Sequence, residues 1–222
     1  MTDQNTPSAP DSAPDSSLDS GIADAAVVKR KRPPAGERRM QILQTLAQML
    51  ETPTAERITT ASLAAKIGVS EAALYRHFAS KAQMFEGLLE FIEASVFGMV
   101  NKINANDPDP RTRVAAITQV VLGFAEKNPG MSRVMVGDAL VLEHERLQSR
   151  MSALFNKLEG QLRHSLREIA EQVGSATPTV DANLAANVLV SFMLGRIQRF
   201  SRSNFRVLPT DSLASALQLL VR

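Results

Sequence analysis

The sequence from residue 59 to residue 81 reads Thr-Thr-Ala-Ser-Leu-Ala-Ala-Lys-Ile-Gly-Val-Ser-Glu-Ala-Ala-Leu-Tyr-Arg-His-Phe-Ala-Ser-Lys. Apolar residues recur at helical spacing on both sides of Gly68, which predicts two short helices joined by a tight turn. Thr59 or Thr60 is expected to cap the first helix and Ser70 the second, because hydroxyl oxygens accept hydrogen bonds from the free N–H groups at a helix start. The pattern predicts a helix-turn-helix.

The helix after the turn begins with the small residues Ser70, Ala72 and Ala73. A helix that enters the major groove of DNA needs small residues there, because bulky side chains would hold its backbone away from the bases. Groups that can donate hydrogen bonds to phosphates follow on Tyr75, Arg76, His77 and Lys81. Three of these residues have an ordinary structural alternative. Tyr75 could lie at the edge of the core, His77 could be packed or solvated, and Ser70 could only cap its helix.

Helical spacing continues on both sides of this segment, and no stretch alternates with the period of a strand. The sequence predicts further helices at about 35–51, 80–103, 111–127, 132–138 and 140–173, one capped by Asp181 that runs to 202, and a last one capped by Asp211. The predicted fold is therefore all-α, with a three-helix helix-turn-helix head at 34–81 and a helical-bundle dimerisation body at 82–222.

The N-terminal segment differs sharply from the rest in charge. Residues 1–28 carry five aspartates and no lysine or arginine, whereas the whole chain has a net charge of +2. Ser, Asp, Ala and Pro dominate there, which predicts a disordered acidic tail over the first part of 1–33. Residues 29–32 read Lys-Arg-Lys-Arg and form either a DNA-contacting basic arm or a solvated charge run.

Several function classes are excluded or disfavoured by composition. The chain has no cysteine, so disulfides and thiolate chemistry are excluded, and we find no apolar run near the length of a membrane span. Its three histidines, His77, His144 and His164, form no metal pattern with nearby acids, and there is no glycine-rich phosphate loop. The lack of cysteine fits a reducing cytoplasm, and we expect a protein that is no enzyme and has no cofactor, metal or membrane partner.

The complete string from Thr59 to Lys81 closely resembles the head of the TetR family, with Gly-Val-Ser at 68–70 and Leu-Tyr-x-His-Phe at 74–78. The resemblance implies a homodimer whose two heads lie about 34 Å apart and bind a near-palindromic duplex. It also implies which residues contact the DNA. The DNA backbone is met at the start of the second helix by Thr59 and Thr60. Base edges or nearby phosphates are approached by Ser70, Glu71, Ala72 and Arg76, and phosphates are bound by Tyr75, His77 and Lys81. Glu71 would accept from a cytosine amine or only stabilise its helix start.

The body is similar to one branch of that family, the nucleoid occlusion factors, in segments such as Phe91-Ile92-Glu93, Leu122-Gly123-Phe124 and Asn128-Pro129-Gly130. This resemblance implies binding to palindromic chromosomal sites and antagonism of the division protein FtsZ. FtsZ would then lie in a groove between the fourth and fifth helices, lined by Phe91, Gly123, Lys127 and Asn128.

Two further questions stay open at the level of sequence. The dimer interface is expected on the last two helices, at Val188, Phe192, Ile197 and residues 213–220, although these could equally be core of one subunit. A ligand-responsive transcriptional repressor of the same fold is the alternative function, and it would need a pocket in the body.

Overall fold

The computed structural model describes residues 35–52, 57–141 and 143–221, so the predicted tail and basic arm at 1–33 and the expected stop at Pro53 lie outside the described residues. Within these ranges the chain forms nine α-helices and no strand, which confirms the all-α prediction. The helices are α1 (Ala35–Glu51), α2 (Thr60–Ile67), α3 (Glu71–Tyr75), α4 (Lys81–Asn106), α5 (Pro110–Lys127), α6 (Pro129–Met135), α7 (Glu145–Gln172), α8 (Pro178–Arg202) and α9 (Leu213–Leu220), with a 3₁₀ turn at Asp138–Leu140.

The first three helices pack around a shared apolar core and form the predicted helix-turn-helix. Thr59 caps α2 in a capping box: its Oγ1 accepts from the Ser62 N–H at 3.1 Å, and the Ser62 hydroxyl accepts from the Thr59 N–H at 3.0 Å. Gly68 ends α2 at φ +78°, a left-handed conformation that favours glycine. Ser70 then caps α3 by accepting from the Ala73 N–H. The core of this unit is Ile42, Leu46, Leu63, Leu74 and Phe78.

The body is organised around the long antiparallel pair α7 and α8, against which α4 and α5 pack. The apolar stripe that predicted a packed seam along α7 is buried from Leu147 to Ile169, which confirms that prediction. Only its last member, Val173, lies beyond the helix and is exposed. The stripe consists of Leu147, Met151, Leu154, Leu158, Leu162, Leu166 and Ile169.

Helix α8 has an unusually apolar composition, because its inner face belongs to the bundle core. Ala186, Leu189, Met193 and Ile197 on that face are fully buried. By length and composition alone α8 also meets the requirement for a membrane-crossing helix, contrary to the expectation from the lengths of apolar runs in the sequence. One face of the helix is buried against neighbouring helices, and the outer face adds the exposed Val180, Leu184 and Val188.

Several predicted helix starts were wrong. Helix α8 begins at Pro178, not at Asp181, because proline is well suited to the first position of a helix. Asp181 lies in its first turn and accepts hydrogen bonds from the Ser175 hydroxyl and from Thr177 Oγ1. Helix α9 follows Ser212 rather than Asp211, and no side chain caps it.

The predicted sixth and seventh helices also shift along the chain. Pro129 does not only stop α5 but also begins α6, which ends at Met135 before the predicted 138. Helix α7 begins at Glu145 rather than near residue 140, after His144 Nδ1 accepts from the Arg146 N–H at 3.3 Å. The predicted lengths were therefore less accurate than the predicted helices themselves.

Candidate nucleic-acid interface and partner groove

The starts of α2 and α3 meet on one exposed face through three polar side chains. Thr60 Oγ1 donates to Glu71 Oε2 at 2.6 Å, and the Tyr75 hydroxyl donates to Thr60 Oγ1 at 3.5 Å. The Tyr75 side chain is 47% exposed, so it is not a core-edge tyrosine. Because its carboxylate already binds Thr60, Glu71 holds the two helices of the motif together.

The remaining predicted base-contacting residues lie on the same outer face of α3. Ser70, Ala72 and Arg76 are exposed, whereas Leu74 on the opposite side is fully buried in the core. Small side chains therefore line the exposed start of this helix, and the cationic Arg76 lies at its end. This arrangement leaves the backbone of α3 accessible to a partner as broad as a DNA groove.

His77 is partly buried, and its backbone is fixed to α1. Its carbonyl accepts a hydrogen bond from Arg39 Nη1 at 3.1 Å, and the Arg39 guanidinium carbon lies 4.1 Å from the centroid of the Phe78 ring. Arg39 is not among the site residues predicted from the sequence, because its partners lie 38 and 39 positions further along the chain.

Lys81 is not free in this structure. Its ammonium lies 2.5 Å from Glu143 Oε1, and Arg57 Nε lies 3.1 Å from the same oxygen. The hydrogen bond from Arg57 to Glu143 raises the pKa of that guanidinium. Glu143 belongs to the connection between the 3₁₀ turn and α7, so a carboxylate of the body binds a cation at each border of the helix-turn-helix. No local sequence pattern links Glu143 to Arg57 or Lys81.

An apolar surface runs along α4 where it packs against α5. Phe91 is 38% exposed, which rules out a fully buried core position, and its ring centroid lies 6.4 Å from that of Phe124 on α5. Met99, two turns further along α4, is exposed as well. A Cβ added at Gly123 would contact only Gln119 Nε2 at 3.7 Å, so the α5 backbone is open there. These positions leave an accessible apolar surface on α4 and α5, and the groove predicted there stays a prediction.

The polar end of this surface is built at the junction of α5 and α6. Lys127 is exposed in the last turn of α5. The Asn128 carboxamide donates to the Phe124 carbonyl at 2.8 Å and so closes the end of α5. Lys127 therefore presents a cation about one helical turn from Phe124, whereas Asn128 has a structural partner within its own helix.

The expected dimer surface divides into exposed and buried positions. Ile197 is fully buried within the subunit, so its assignment to the interface was wrong. Val188 is exposed, and it continues an exposed apolar row on α8 that starts at Val180 and Leu184. Next to this row, an open groove of about 650 Å³ lies between α7 and α8. Its walls include Met151, Phe155 and Val190, with Gln148, Asn156 and Gln198 as polar members.

Comparison with known protein families agrees with this geometry. Residues 42–88 match the family described as bacterial regulatory proteins, tetR family. Residues 109–222 match a second family model, described as tetracyclin repressor-like, C-terminal domain. The chain belongs to the TetR family. It is therefore a DNA-binding regulator with the family's all-α fold.

Two similar relatives lie within one group of the family. The chain is 50% identical over 183 residues to the nucleoid occlusion factor SlmA of Idiomarina loihiensis, covering 82% of this chain and 93% of that protein. It is 53% identical over 174 residues to SlmA of Alteromonas mediterranea, covering 78% of this chain and 89% of that one. Among solved structures, the TetR-family regulator PfmR from Thermus thermophilus has the same fold, with a TM-score of 0.66 and 24% identity over 83% of this chain and 95% of that chain.

Family membership places the chain among regulators that bind DNA and act as dimers, rather than among enzymes. In the part of the chain that the structure describes, no three acidic or histidine side chains gather where they could hold a metal ion.

Proposed function

We propose that this protein is a nucleoid occlusion factor: a homodimer that binds near-palindromic chromosomal sites and antagonises FtsZ assembly, so that no septum forms over the nucleoid. The observation that carries the proposal is the presence of two separate accessible surfaces on one compact unit, the outer face of α3 and the apolar surface of α4 and α5. The similarity to SlmA proteins over about four fifths of the chain supports the same function. Such a protein is cytoplasmic and associated with the nucleoid.

In the proposed DNA complex, each head inserts α3 into the major groove of one half-site. Ser70, Ala72 and Arg76 approach base edges or nearby phosphates, while Tyr75 and His77 contact phosphates. Thr59 and Thr60 meet the backbone at the start of α2, and Glu71 positions Thr60 through their 2.6 Å hydrogen bond. Lys81 leaves Glu143 and binds a phosphate instead. Phosphate contacts set the register, and base contacts set the sequence.

In the proposed partner complex, an acidic, partly apolar segment of FtsZ lies along α4. Phe91 offers exposed aromatic surface beside the half-buried Phe124, and the open backbone at Gly123 allows close approach. Lys127 supplies a charge opposite to that of the peptide. Asn128 contributes chiefly by holding the end of α5 in place.

The two subunits associate through the outer face of α8. Val180, Leu184 and Val188 are spaced four residues apart and are exposed in the single chain. Such a row buries its apolar area when it packs against its own copy around a two-fold axis. We therefore place the dimer contact on this row and on the adjoining faces of α7 and α9.

The proposal is tested by measuring FtsZ polymerisation with the purified protein, with and without duplexes that the protein selects from genomic DNA. Inhibition that strengthens on near-palindromic DNA supports the proposal. DNA binding without any FtsZ contact contradicts it and favours the ligand-responsive repressor, for which the groove of about 650 Å³ between α7 and α8 is the candidate pocket.

The partner groove is tested by Lys127→Glu. The substitution reverses the charge about one helical turn from Phe124, so FtsZ binding should weaken by about tenfold or more while DNA binding is unchanged. Lys102→Glu is the matched control, because this exposed lysine lies about 16 Å along α4 from Phe91. Weaker DNA binding together with unchanged FtsZ binding in Lys127→Glu would mean that the groove assignment is wrong.

A further inference from the structure

Glu143 has an unusual position, because it is a nearly buried carboxylate of the body that serves two cations of the head. Its side chain is 6% exposed, and one of its oxygens lies 3.1 Å from Arg57 Nε and 2.5 Å from Lys81 Nζ. A carboxylate at such a site is stable only when it is paired. The two cations stand at the two borders of the helix-turn-helix, Arg57 before the cap of α2 and Lys81 at the start of α4.

The surroundings of Lys81 explain why it needs this partner. Lys81 is the first residue of α4, and the positive end of a helix dipole disfavours a cation there. The first turn of α4 contains no acidic residue that could offset this. Glu143 supplies the missing negative charge from the 3₁₀–α7 connection, and the Phe85 ring lies 5.6 Å from the ammonium on another side.

This arrangement has a consequence for DNA binding. Contacts between lysine and phosphate are independent of sequence, so a free ammonium beside the DNA face strengthens binding to every duplex. An ammonium held by a carboxylate is available only where a well-placed phosphate can replace that carboxylate. Removal of the Glu143 carboxylate would leave the Lys81 ammonium without the negative charge that now lies beside it.

We propose that Glu143 sets the DNA affinity of the head by competing with phosphates for Lys81, which leaves the carboxylate only where a well-placed phosphate replaces it. This inference rests on the proposed role of Lys81 as a phosphate contact. Glu143 itself touches no DNA; it acts through the two cations and through the position of the head on the body.

The test compares Glu143→Gln with the parent protein on two duplexes of equal length and composition: one selected by the parent from a random pool, and one scrambled. Affinities are measured by fluorescence anisotropy over a range of KCl concentrations. On scrambled DNA the variant should bind about five- to tenfold more tightly, with a salt slope steeper by about one unit. Affinity for the selected duplex should rise by at least as much, because in the parent that duplex must displace Glu143 from Lys81.

Glu86→Gln is the matched control, because it removes a carboxylate of α4 that pairs at 2.7 Å with Arg146 of α7 and not with the head. Its salt slope on scrambled DNA should equal that of the parent. An unchanged slope in Glu143→Gln, or an equal rise in Glu86→Gln, overturns the proposal. A parallel loss of affinity for both duplexes with a lower melting temperature also overturns it, because that is the result of a merely structural role.

A second measurement needs no variant and covers the case in which Glu143→Gln does not fold. The ammonium NMR signal of Lys81 in the parent protein should stay in place when scrambled DNA is added and shift when the selected duplex is added. A shift with scrambled DNA overturns the proposal. If the parent prefers no duplex from the pool, the proposed binding of specific sites has failed, whereas the slope on scrambled DNA still tests Glu143.

Discussion

Gly130 lies where α6 crosses α1, and the two helices approach so closely that no side chain fits between them. A Cβ built on Gly130 would stand 2.0 Å from the Ala47 carbonyl oxygen and 3.2 Å from Leu50 Cβ. The obstructing atom belongs to the backbone of a helix, so no rotamer change can relieve the contact. Gly130→Ala must therefore push α6 and α1 apart by about 1 Å at this point, in a core that packs like an organic crystal.

The size of the effect follows from that displacement. Overpacking a close contact costs about 1–3 kcal/mol, and the better helix propensity of alanine returns only part of this cost. We expect a net loss of about 2 kcal/mol in the free energy of unfolding. For a chain of this size, that loss lowers the melting temperature by about 4–8 °C.

The assay is thermal unfolding followed by circular dichroism at fixed dimer concentration, with Gly98→Ala as the matched control. Gly98 also lies in a helix, but a Cβ there would meet nothing within 4 Å. Alanine should therefore stabilise that position by about 0.5–1 kcal/mol. If Gly130→Ala melts at or above the temperature of Gly98→Ala, the close contact between α1 and α6 does not exist as described.

Three further predictions concern other parts of the molecule. Tyr75→Ala and Thr60→Ala should weaken DNA binding, while the dimer stays intact and the melting temperature is unchanged. Removing one interaction with a phosphate should lower the salt slope by about one unit. Unchanged DNA affinity in both variants contradicts the assignment of the α3 face. Arg113→Leu should cost about 3 kcal/mol in urea unfolding, because this buried guanidinium donates to Ser165 Oγ and Glu168 Oε2, whereas loss of an exposed helix pair costs less than about 1 kcal/mol. Hydrogen bonds from Thr112 lower the pKa of Asp109. The contribution of the Asp109 carboxylate to stability is therefore complete above the ordinary aspartate pKa and is lost as the pH falls through the lowered pKa. Asp109→Asn should remove that pH dependence from urea titrations.

The helix-turn-helix could be predicted from the sequence almost residue by residue, because its signals are local. Thr59, Gly68 and Ser70 each act on backbone groups within four positions, and all three have the predicted roles. The predicted cap at Asp181 failed for a related reason: a second local signal, Pro178, begins α8 earlier. Sequence patterns thus rank competing local signals poorly, even where they identify the element correctly.

The contacts that fix the head on the body could not be predicted, because they join residues far apart in the chain. Glu143 and Lys81 are separated by 62 positions, and Arg133 donates to the Leu50 carbonyl across 83. The close approach of Gly130 to Ala47 is of the same kind. Periodicity shows that a residue is buried or exposed, but it does not show which residue of another helix lies opposite.

Helix α4 connects the two proposed surfaces, the outer face of α3 and the apolar surface of α4 and α5. Its first residue, Lys81, stands beside the helix-turn-helix, and Phe91 lies ten residues further on, about 15 Å along the same axis. Met84, Leu88 and Ile92 between them are fully buried, so this part of α4 cannot bend without disturbing the core. We therefore expect a shift of the head on DNA to reach the proposed partner surface as a displacement of the whole helix. This is a physical reason why FtsZ binding should respond to DNA binding, and it requires that the response weaken in Gly130→Ala, where the anchoring of α1 against α6 is loosened.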